Sequence, residues 1–84
     1  MRTENVQESI DVGVSFRKGV KPTPKWFIWN GRKVEITTVE NTWKAKQGDS
    51  PLLFFSVTDN TNVYEICLNQ KTLRWTLEKV YVEG

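Results

Sequence analysis

The sequence predicts an all-β fold, and three observations lead to that prediction. Apolar and polar residues alternate with a period of two in several stretches, as they do in strands that bury one face. Turn-forming residues, such as Asn30-Gly31 and the run 58–62, separate these stretches. No stretch repeats apolar residues every three or four positions, so no long amphipathic helix is expected. A chain of 84 residues fits one domain spanning 1–84.

The first strand is predicted over residues 10–16. Four apolar residues alternate there with polar or small ones, which places Phe16 on the buried face with Ile10. The preceding residues 1–8 are mostly polar and are candidates for disorder. A loop should follow over 18–24, because two prolines and a glycine interrupt any regular hydrogen-bonding path.

Residues 25–39 contain the clearest hairpin. Asn30-Gly31 tolerates positive φ at both positions, as a type I′ turn requires. This two-residue turn pairs Trp29 with Arg32 and thereby fixes which residues share a face. The face richer in apolar groups should point to the core; it carries Phe27, Trp29, Val34 and Ile36. The opposite face should be partly exposed; it carries Trp26, Ile28, Lys33, Glu35 and Thr37.

The second half of the chain predicts further strands. Residues 40–47 are polar and leave a short helix as one option. The run 52–57 is too short and too aromatic for an amphipathic helix and is typical of a buried strand. Two more strands are predicted over 63–68 and 73–82, separated by turn chemistry at 69–72.

The last strand needs an irregularity near Glu78-Lys79. Leu73 and Leu77 have one parity in this strand and Val80 has the other, so a bulge would let both sets face the core. Short connections favour antiparallel neighbours. The prediction is therefore a meander of about six antiparallel strands, curled into a small SH3-like barrel or half-barrel that hides its edges.

The composition argues against several kinds of chemistry. The chain has no histidine and one cysteine, so the usual zinc ligand sets and His-activated nucleophiles cannot form within it. Its five glycines are isolated and form no phosphate-binding loop. The carboxylates of Glu35, Glu65 and Glu78 have no spacing that indicates a catalytic pair. We expect no enzymatic activity, cofactor or metal.

Cys67 and the N-terminus bear on the compartment. A single free thiol in an apolar run fits a buried side chain and a reducing environment. No signal-peptide pattern begins the sequence, and no apolar run approaches the roughly 20 residues that span a bilayer. A cytoplasmic location without a membrane partner is expected.

Positive charge is concentrated in the middle of the chain. Residues 17–46 hold eight basic and two acidic groups, a segment charge of +6, although the whole chain carries only +2. This asymmetry indicates either an interaction face or ordinary surface charge. The candidate surface, for a protein partner or nucleic acid, comprises Arg17, Lys18, Lys21, Lys25, Trp26, Ile28, Lys33, Trp43, Lys44 and Lys46.

Two functions compete for this surface. A non-enzymatic interaction module would dock an unknown protein on its exposed aromatic and apolar groups. Alternatively, lysines beside an exposed tryptophan would bind single-stranded nucleic acid weakly, by phosphate neutralisation and base stacking. In a third interpretation the tryptophans only pack in the core or at its rim, covered by lysine stems.

The hairpin motif resembles a family of uncharacterised small bacterial β domains. The family pattern is an aromatic residue, x, Trp, x, Gly-Arg, then alternating apolar residues, a further Trp and a late Trp-x-Leu. It matches over about 24–82, at Phe27, Trp29, Gly31, Arg32, Val34, Ile36, Trp43, Trp75 and Leu77. Members of that family occur alone or at the C-terminus of proteins similar to error-prone DNA polymerases. The resemblance implies an adaptor or nucleic-acid-associated role in bacteria and assigns no functional residue.

Overall fold

The structure is a computed structural model that describes residues 2–16 and 22–82. These residues form seven strands and no helix, so the all-β prediction is confirmed. The strands are β1 (Arg2–Ser15), β2 (Thr23–Trp29), β3 (Arg32–Glu35), β4 (Thr38–Gln47), β5 (Ser50–Thr58), β6 (Val63–Asn69) and β7 (Trp75–Val82). A helix over 40–47 is wrong, because these residues lie in β4 and pair with β5. Within the described ranges, nothing helical is long and apolar enough to cross a membrane.

All seven strands belong to one antiparallel sheet with the order β3-β2-β1-β7-β6-β5-β4. The order departs from the expected meander because β1 lies between β2 and β7. Residues 2–10 of β1 pair with β7, and residues 11–15 pair with β2. Residues 1–8 are the candidates for disorder, and within them residues 2–5 and Glu8 pair with β7. The side chains of residues 2–8 are almost all exposed.

The sheet is curled but does not close into a barrel. Its two edge strands, β3 and β4, are joined only by residues 36–37. Ile36 N–H donates to the Lys25 carbonyl at 3.0 Å, and Thr37 N–H donates to the Thr58 carbonyl at 2.9 Å. Two residues therefore carry the chain from one edge to the other, which brings the edges together at this corner. The prediction of a closed barrel is wrong, because β3 and β4 follow each other along the chain at this corner and do not pair side by side.

The hairpin register is confirmed at each predicted pair from Trp26–Glu35 to Trp29–Arg32. Asn30 and Gly31 have φ of 54° and 71°, as a type I′ turn requires. Phe27 is fully buried, and its ring meets that of Tyr64 edge-on at a centroid distance of 5.1 Å. The hairpin therefore packs its predicted apolar face on the core.

The bulge predicted near Glu78-Lys79 is confirmed at Glu78. Leu77 pairs with Ile66 and Lys79 pairs with Glu65, which leaves Glu78 without an opposite residue on β6. Leu77 and Val80 consequently both reach the core. A second irregularity faces it on β1, where the register shifts between Asn5 and Glu8. Bulges increase local twist and bend strands, which gives the sheet its curvature here.

The core lies on the concave face of the sheet. The four hairpin side chains that the register placed on the core face are buried or packed against the core, and so are six side chains of β5, β6 and β7. These are Phe27, Trp29, Val34 and Ile36 of the hairpin, and Phe55, Val57, Ile66, Leu68, Trp75 and Leu77. The core also contains Leu53, Tyr64 and Val80. Two predicted inward residues are wrong, since Phe16 is 73% exposed after the end of β1 and Leu73 is 72% exposed. Leu73 precedes β7 in a turn, with φ of 64°.

Candidate functional site

The outer face of the β2–β3 hairpin carries Trp26, Ile28 and Lys33, which we call the hairpin patch. Trp26 and Ile28 are half-buried and Lys33 is exposed. The sequence placed these three side chains together, and the confirmed register puts them on one face. Lys33 also forms a 3.2 Å ion pair with Glu35 on the same strand.

Trp26 packs against two neighbours. It lies over Gly13, its cross-strand partner in β1, so closely that a Cβ on Gly13 would overlap the indole ring. The Lys33 Nζ lies 5.1 Å from the ring centroid, within the range of a cation–π contact. The two contacts restrict the ring, which is half-buried.

Trp43 forms a separate aromatic site on the outer face of β4. Its ring stacks on that of Phe54, its partner in β5, with centroids 5.4 Å apart and planes 4° from parallel. Trp43 is 37% exposed. Because successive side chains of a strand point to opposite faces, Lys44 and Lys46 lie on the other side of β4. These lysines and Trp43 do not form one surface.

Among the described residues, the other predicted lysines, Lys25, Lys44 and Lys46, do not join the hairpin patch. Lys25 is exposed, next to Trp26 in sequence but of opposite parity in β2. Arg17, Lys18 and Lys21 lie outside the described residues. The hairpin patch and Trp43 sit near opposite ends of the strand order, with β1, β7 and β6 between their hairpins. The described part of the predicted surface is therefore divided into two.

A groove of about 410 Å³ separates the β2–β3 hairpin from the turn between β5 and β6. Its lining includes Trp29, Arg32, Asp59 and Tyr64. The buried Nε1 of Trp29 finds no acceptor among the described residues. Sequence reasoning recognised the turn chemistry at 58–62 but missed the groove, since only the curl of the sheet brings this turn to the hairpin.

Asp59 organises the wall of this groove. Its carboxylate accepts hydrogen bonds from the N–H groups of Thr61 and Asn62, at 2.9 and 2.8 Å, and from the Tyr64 hydroxyl at 3.0 Å. Burial acts to raise the pKa of Asp59, but these hydrogen bonds outweigh it and hold the pKa below its ordinary value. Burial and the neighbouring Asp59 charge raise the pKa of Tyr64, which therefore stays a donor.

Replacing Asp59 with asparagine should destabilise the domain in a pH-dependent way. At about pH 7 we expect a loss of roughly 1–2 kcal/mol, because an amide cannot accept all three bonds and lacks the charge that strengthens them. A lowered native pKa makes Asp59 stabilising above the ordinary carboxyl value of 3.8. This contribution disappears as the pH falls through the native pKa, so the two proteins should converge in acid.

Chemical denaturation at several pH values measures the Asp59→Asn effect. Asp49→Asn is the matched control, because the Asp49 side chain is 83% exposed and its contact is an ion pair with Lys71 at 2.7 Å. The control should change stability by less than about 0.5 kcal/mol. An Asp59→Asn deficit that persists undiminished at about pH 2 would contradict this account of the pKa.

Cys67 is buried on the outer side of β6, and its environment disfavours a thiolate. Burial, followed by the charges of Glu78 and Glu65, raises its pKa to about 11. Burial and Glu65 also raise the pKa of Glu78. A thiol with such a pKa is protonated at neutral pH and is a poor nucleophile. In the described part of the chain, no group of three or more Cys, Asp and Glu side chains could hold a metal ion.

Comparison with protein-family models, curated proteins and solved structures found no match to this chain. The resemblance of the hairpin motif to small bacterial β domains therefore stays a prediction from the sequence.

Proposed function

We propose that this chain is a non-enzymatic interaction module that docks on a protein partner through the hairpin patch. The observation that carries the proposal is the packing of the half-buried Trp26 ring, which lies over the bare backbone of Gly13 and near the ammonium group of Lys33. Tryptophan is enriched among the residues that dominate binding energy at protein interfaces. An anchor that is already fixed loses less conformational entropy on binding.

Ile28 extends this anchor along the same face of β2. The two side chains stand two residues apart, so an apolar surface continues from the rim of the Trp26 ring to Ile28. Lys33 and Glu35 are both exposed at its border, and such a polar rim around an apolar centre is typical of protein interfaces. The proposed partner presents an apolar side chain to this centre.

The proposed setting is the cytoplasm of a bacterium. The free thiol of Cys67 fits a reducing compartment. The resemblance suggests a partner that belongs to, or works with, a protein similar to a DNA polymerase.

Trp26→Ala should abolish partner capture. The parent and the variant are immobilised in parallel and exposed to a bacterial lysate, and retained proteins are identified by mass spectrometry. A partner that docks on the hairpin patch should be kept by the parent and lost by the variant. For the purified partner, the Kd should rise by about 30-fold or more, as for an interface hot spot.

Two further variants control this comparison. Trp43→Ala removes the exposed indole of β4 and should retain the partner. Ile28→Ser removes an anchor of the same patch and should weaken capture even if Trp26→Ala proves unstable. Retention of the same proteins by all four baits would contradict docking at the hairpin patch.

Weak binding of single-stranded nucleic acid is the second proposal. The +6 charge of residues 17–46 and the partly exposed Trp43 favour it. Against it, the Trp26 ring packs closely on Gly13 and has the Lys33 ammonium group 5.1 Å from its centroid, so a stacking base would compete with these contacts. Titration with a short oligonucleotide at two salt concentrations distinguishes nucleic-acid binding from protein docking. Quenching of tryptophan fluorescence that weakens steeply with salt would favour nucleic-acid binding.

A further inference from the structure

We propose that Asn30 is a site of spontaneous deamidation, and that one of the two products, isoaspartate, disrupts the β2–β3 turn. The chain has six asparagines, and glycine follows only Asn30. A side chain on the following residue hinders attack by that residue's backbone nitrogen on the asparagine, and glycine has none. Asn30 and Gly31 are both exposed. This turn is therefore the position in the sequence where the reaction is least hindered.

Hydrogen bonding also distinguishes Asn30 from most of the other asparagines. The side-chain amides of four of them take part in hydrogen bonds, namely Asn41, Asn60, Asn62 and Asn69. Within residues 2–16 and 22–82, no hydrogen bond holds the side-chain amide of Asn30. The sixth asparagine, Asn5, precedes Val6, whose branched side chain hinders the attack.

The backbone nitrogen of Gly31 is available to react. The β2–β3 ladder closes at the Trp29–Arg32 pair, so the Gly31 N–H takes no part in it. Apart from the adjacent residues, no described atom lies within 4 Å of the position that a Gly31 Cβ would occupy, which leaves room for a five-membered ring. A turn at the tip of a hairpin opens locally at little cost, so the backbone rotation that ring closure needs is accessible.

Water is the only co-reactant of this reaction. The Gly31 nitrogen attacks Cγ of Asn30, so that a new N–Cγ bond forms and the Cγ–Nδ2 bond breaks. Nδ2 takes up the proton that the Gly31 nitrogen loses and leaves as ammonia, and a succinimide ring remains. Water then opens the ring at one of its two carbonyl carbons. Cleavage of the N–Cγ bond gives aspartate, whereas cleavage at the main-chain carbonyl carbon gives isoaspartate, in which the main chain runs through Cγ.

The two products should affect the hairpin differently. Asp-Gly suits a type I′ turn as Asn-Gly does, so the aspartyl product should keep the strand pairing. Isoaspartate adds one carbon atom to the main chain between Trp29 and Arg32, and the two-residue turn no longer has the geometry that joins these strands. The pairs that the turn sets, from Trp29–Arg32 to Trp26–Glu35, are then weakened. Deamidation at Asn30 does not depend on the proposed docking function.

Peptide mapping of the aged chain tests the site. The full chain is kept folded in neutral buffer at about 37 °C for days to weeks, since chemical modification is slow, and is then digested with trypsin. Cleavage after Lys25 and Arg32 releases residues 26–32, in which Asn30 carries the one side-chain amide. This peptide should gain about 1 Da, because NH₂ is replaced by OH, and should separate into two chromatographic forms. Residues 47–71, which contain three other asparagines, should change more slowly.

Two variants control the consequence for the hairpin. Asn30→Gly keeps a turn sequence that suits type I′ and has no side-chain amide, so its urea midpoint should not fall with ageing. Freshly purified Asn30→Asp reproduces the aspartyl product and should unfold at the same urea concentration as the parent. The isoaspartyl fraction of the aged parent, separated by chromatography, should unfold at a lower urea concentration than either.

A parallel sample unfolded in guanidinium chloride shows that the mapping detects the reaction. The site is overturned if residues 26–32 change in the unfolded sample but stay unmodified in the folded one. It is also overturned if they change no faster than residues 47–71. An isoaspartyl fraction that unfolds like the parent would overturn the proposed disruption of the turn.

Discussion

Truncating Phe27 to alanine is expected to lower the free energy of unfolding by about 3–5 kcal/mol, as for other buried phenylalanines. The side chain is fully buried and packs edge-on against Tyr64, whose hydroxyl bonds Asp59. It therefore links the hairpin to β6 and to the turn that follows β5. Folded domains have only about 5–15 kcal/mol of stability, and small domains lie low in that range. We expect Phe27→Ala to be largely unfolded at 37 °C.

Phe16→Ala is the matched control for this prediction. The substitution is chemically identical, but Phe16 is 73% exposed. Its unfolding free energy should differ from the parent by no more than about 0.5 kcal/mol. Thermal and urea unfolding followed by tryptophan fluorescence measures both variants. Equal stability losses for Phe27→Ala and Phe16→Ala would be incompatible with the register of the hairpin.

The hairpin was predictable because its determinants are local. Asn30-Gly31 specifies the turn type, and the turn specifies each pair up to Trp26–Glu35. The bulge at Glu78 was predictable for a related reason: a strand with inward residues of two parities needs one extra residue. In both cases a few neighbouring residues decide the backbone, and the core follows from it.

The segments that escaped prediction as strands, β4 and the first half of β1, carry little periodicity. Nearly every side chain of β4 is exposed, so no alternation of apolar and polar residues marks it as a strand. The first half of β1 likewise has mostly exposed side chains. Backbone pairing with β5 and β7 stabilises these segments. Such pairing does not require apolar side chains, so the hydropathy pattern does not reveal it. Phe16 and Leu73 were mispredicted for the opposite reason. Each continues an apolar alternation but lies just outside a strand, where its side chain is exposed.

The features of the candidate site that depend on local sequence were likewise predictable, and those that depend on strand pairing were not. Trp26, Ile28 and Lys33 could be placed together because the turn fixes their register. The close approach of Gly13 to Trp26 could not be predicted, because no two-residue turn joins β1, which ends at Ser15, to β2, which begins at Thr23, and their register shifts between Gly13 and Val14. The separation of Trp43 from Lys44 and Lys46 required knowing that 40–47 is a strand, in which sequence neighbours face opposite ways.

Substituting alanine for Gly13 is the second change with a large expected effect. A Cβ at this position would overlap the Trp26 ring, so the ring must leave its place on β1. Overpacking of this kind typically destabilises a protein by about 1–3 kcal/mol. The variant should also lose partner binding like Trp26→Ala, since it displaces the proposed anchor without removing it. Unfolding curves and partner affinity measure the two effects.

A double-mutant cycle with Trp26→Ala separates steric displacement from backbone strain. Gly13, unlike Gly31 and Gly48, has no positive φ, so an alanine there meets no conformational penalty of its own. Once Trp26→Ala has emptied the space, adding Gly13→Ala should be neutral or stabilising by up to about 1 kcal/mol, because alanine restricts the unfolded chain. The two substitutions should thus be strongly non-additive, as expected for residues in direct contact. A Gly13→Ala loss that is equally large with and without the indole would show that Trp26 does not rest on this glycine. The anchor of the hairpin patch would then lack the support on which its proposed rigidity depends.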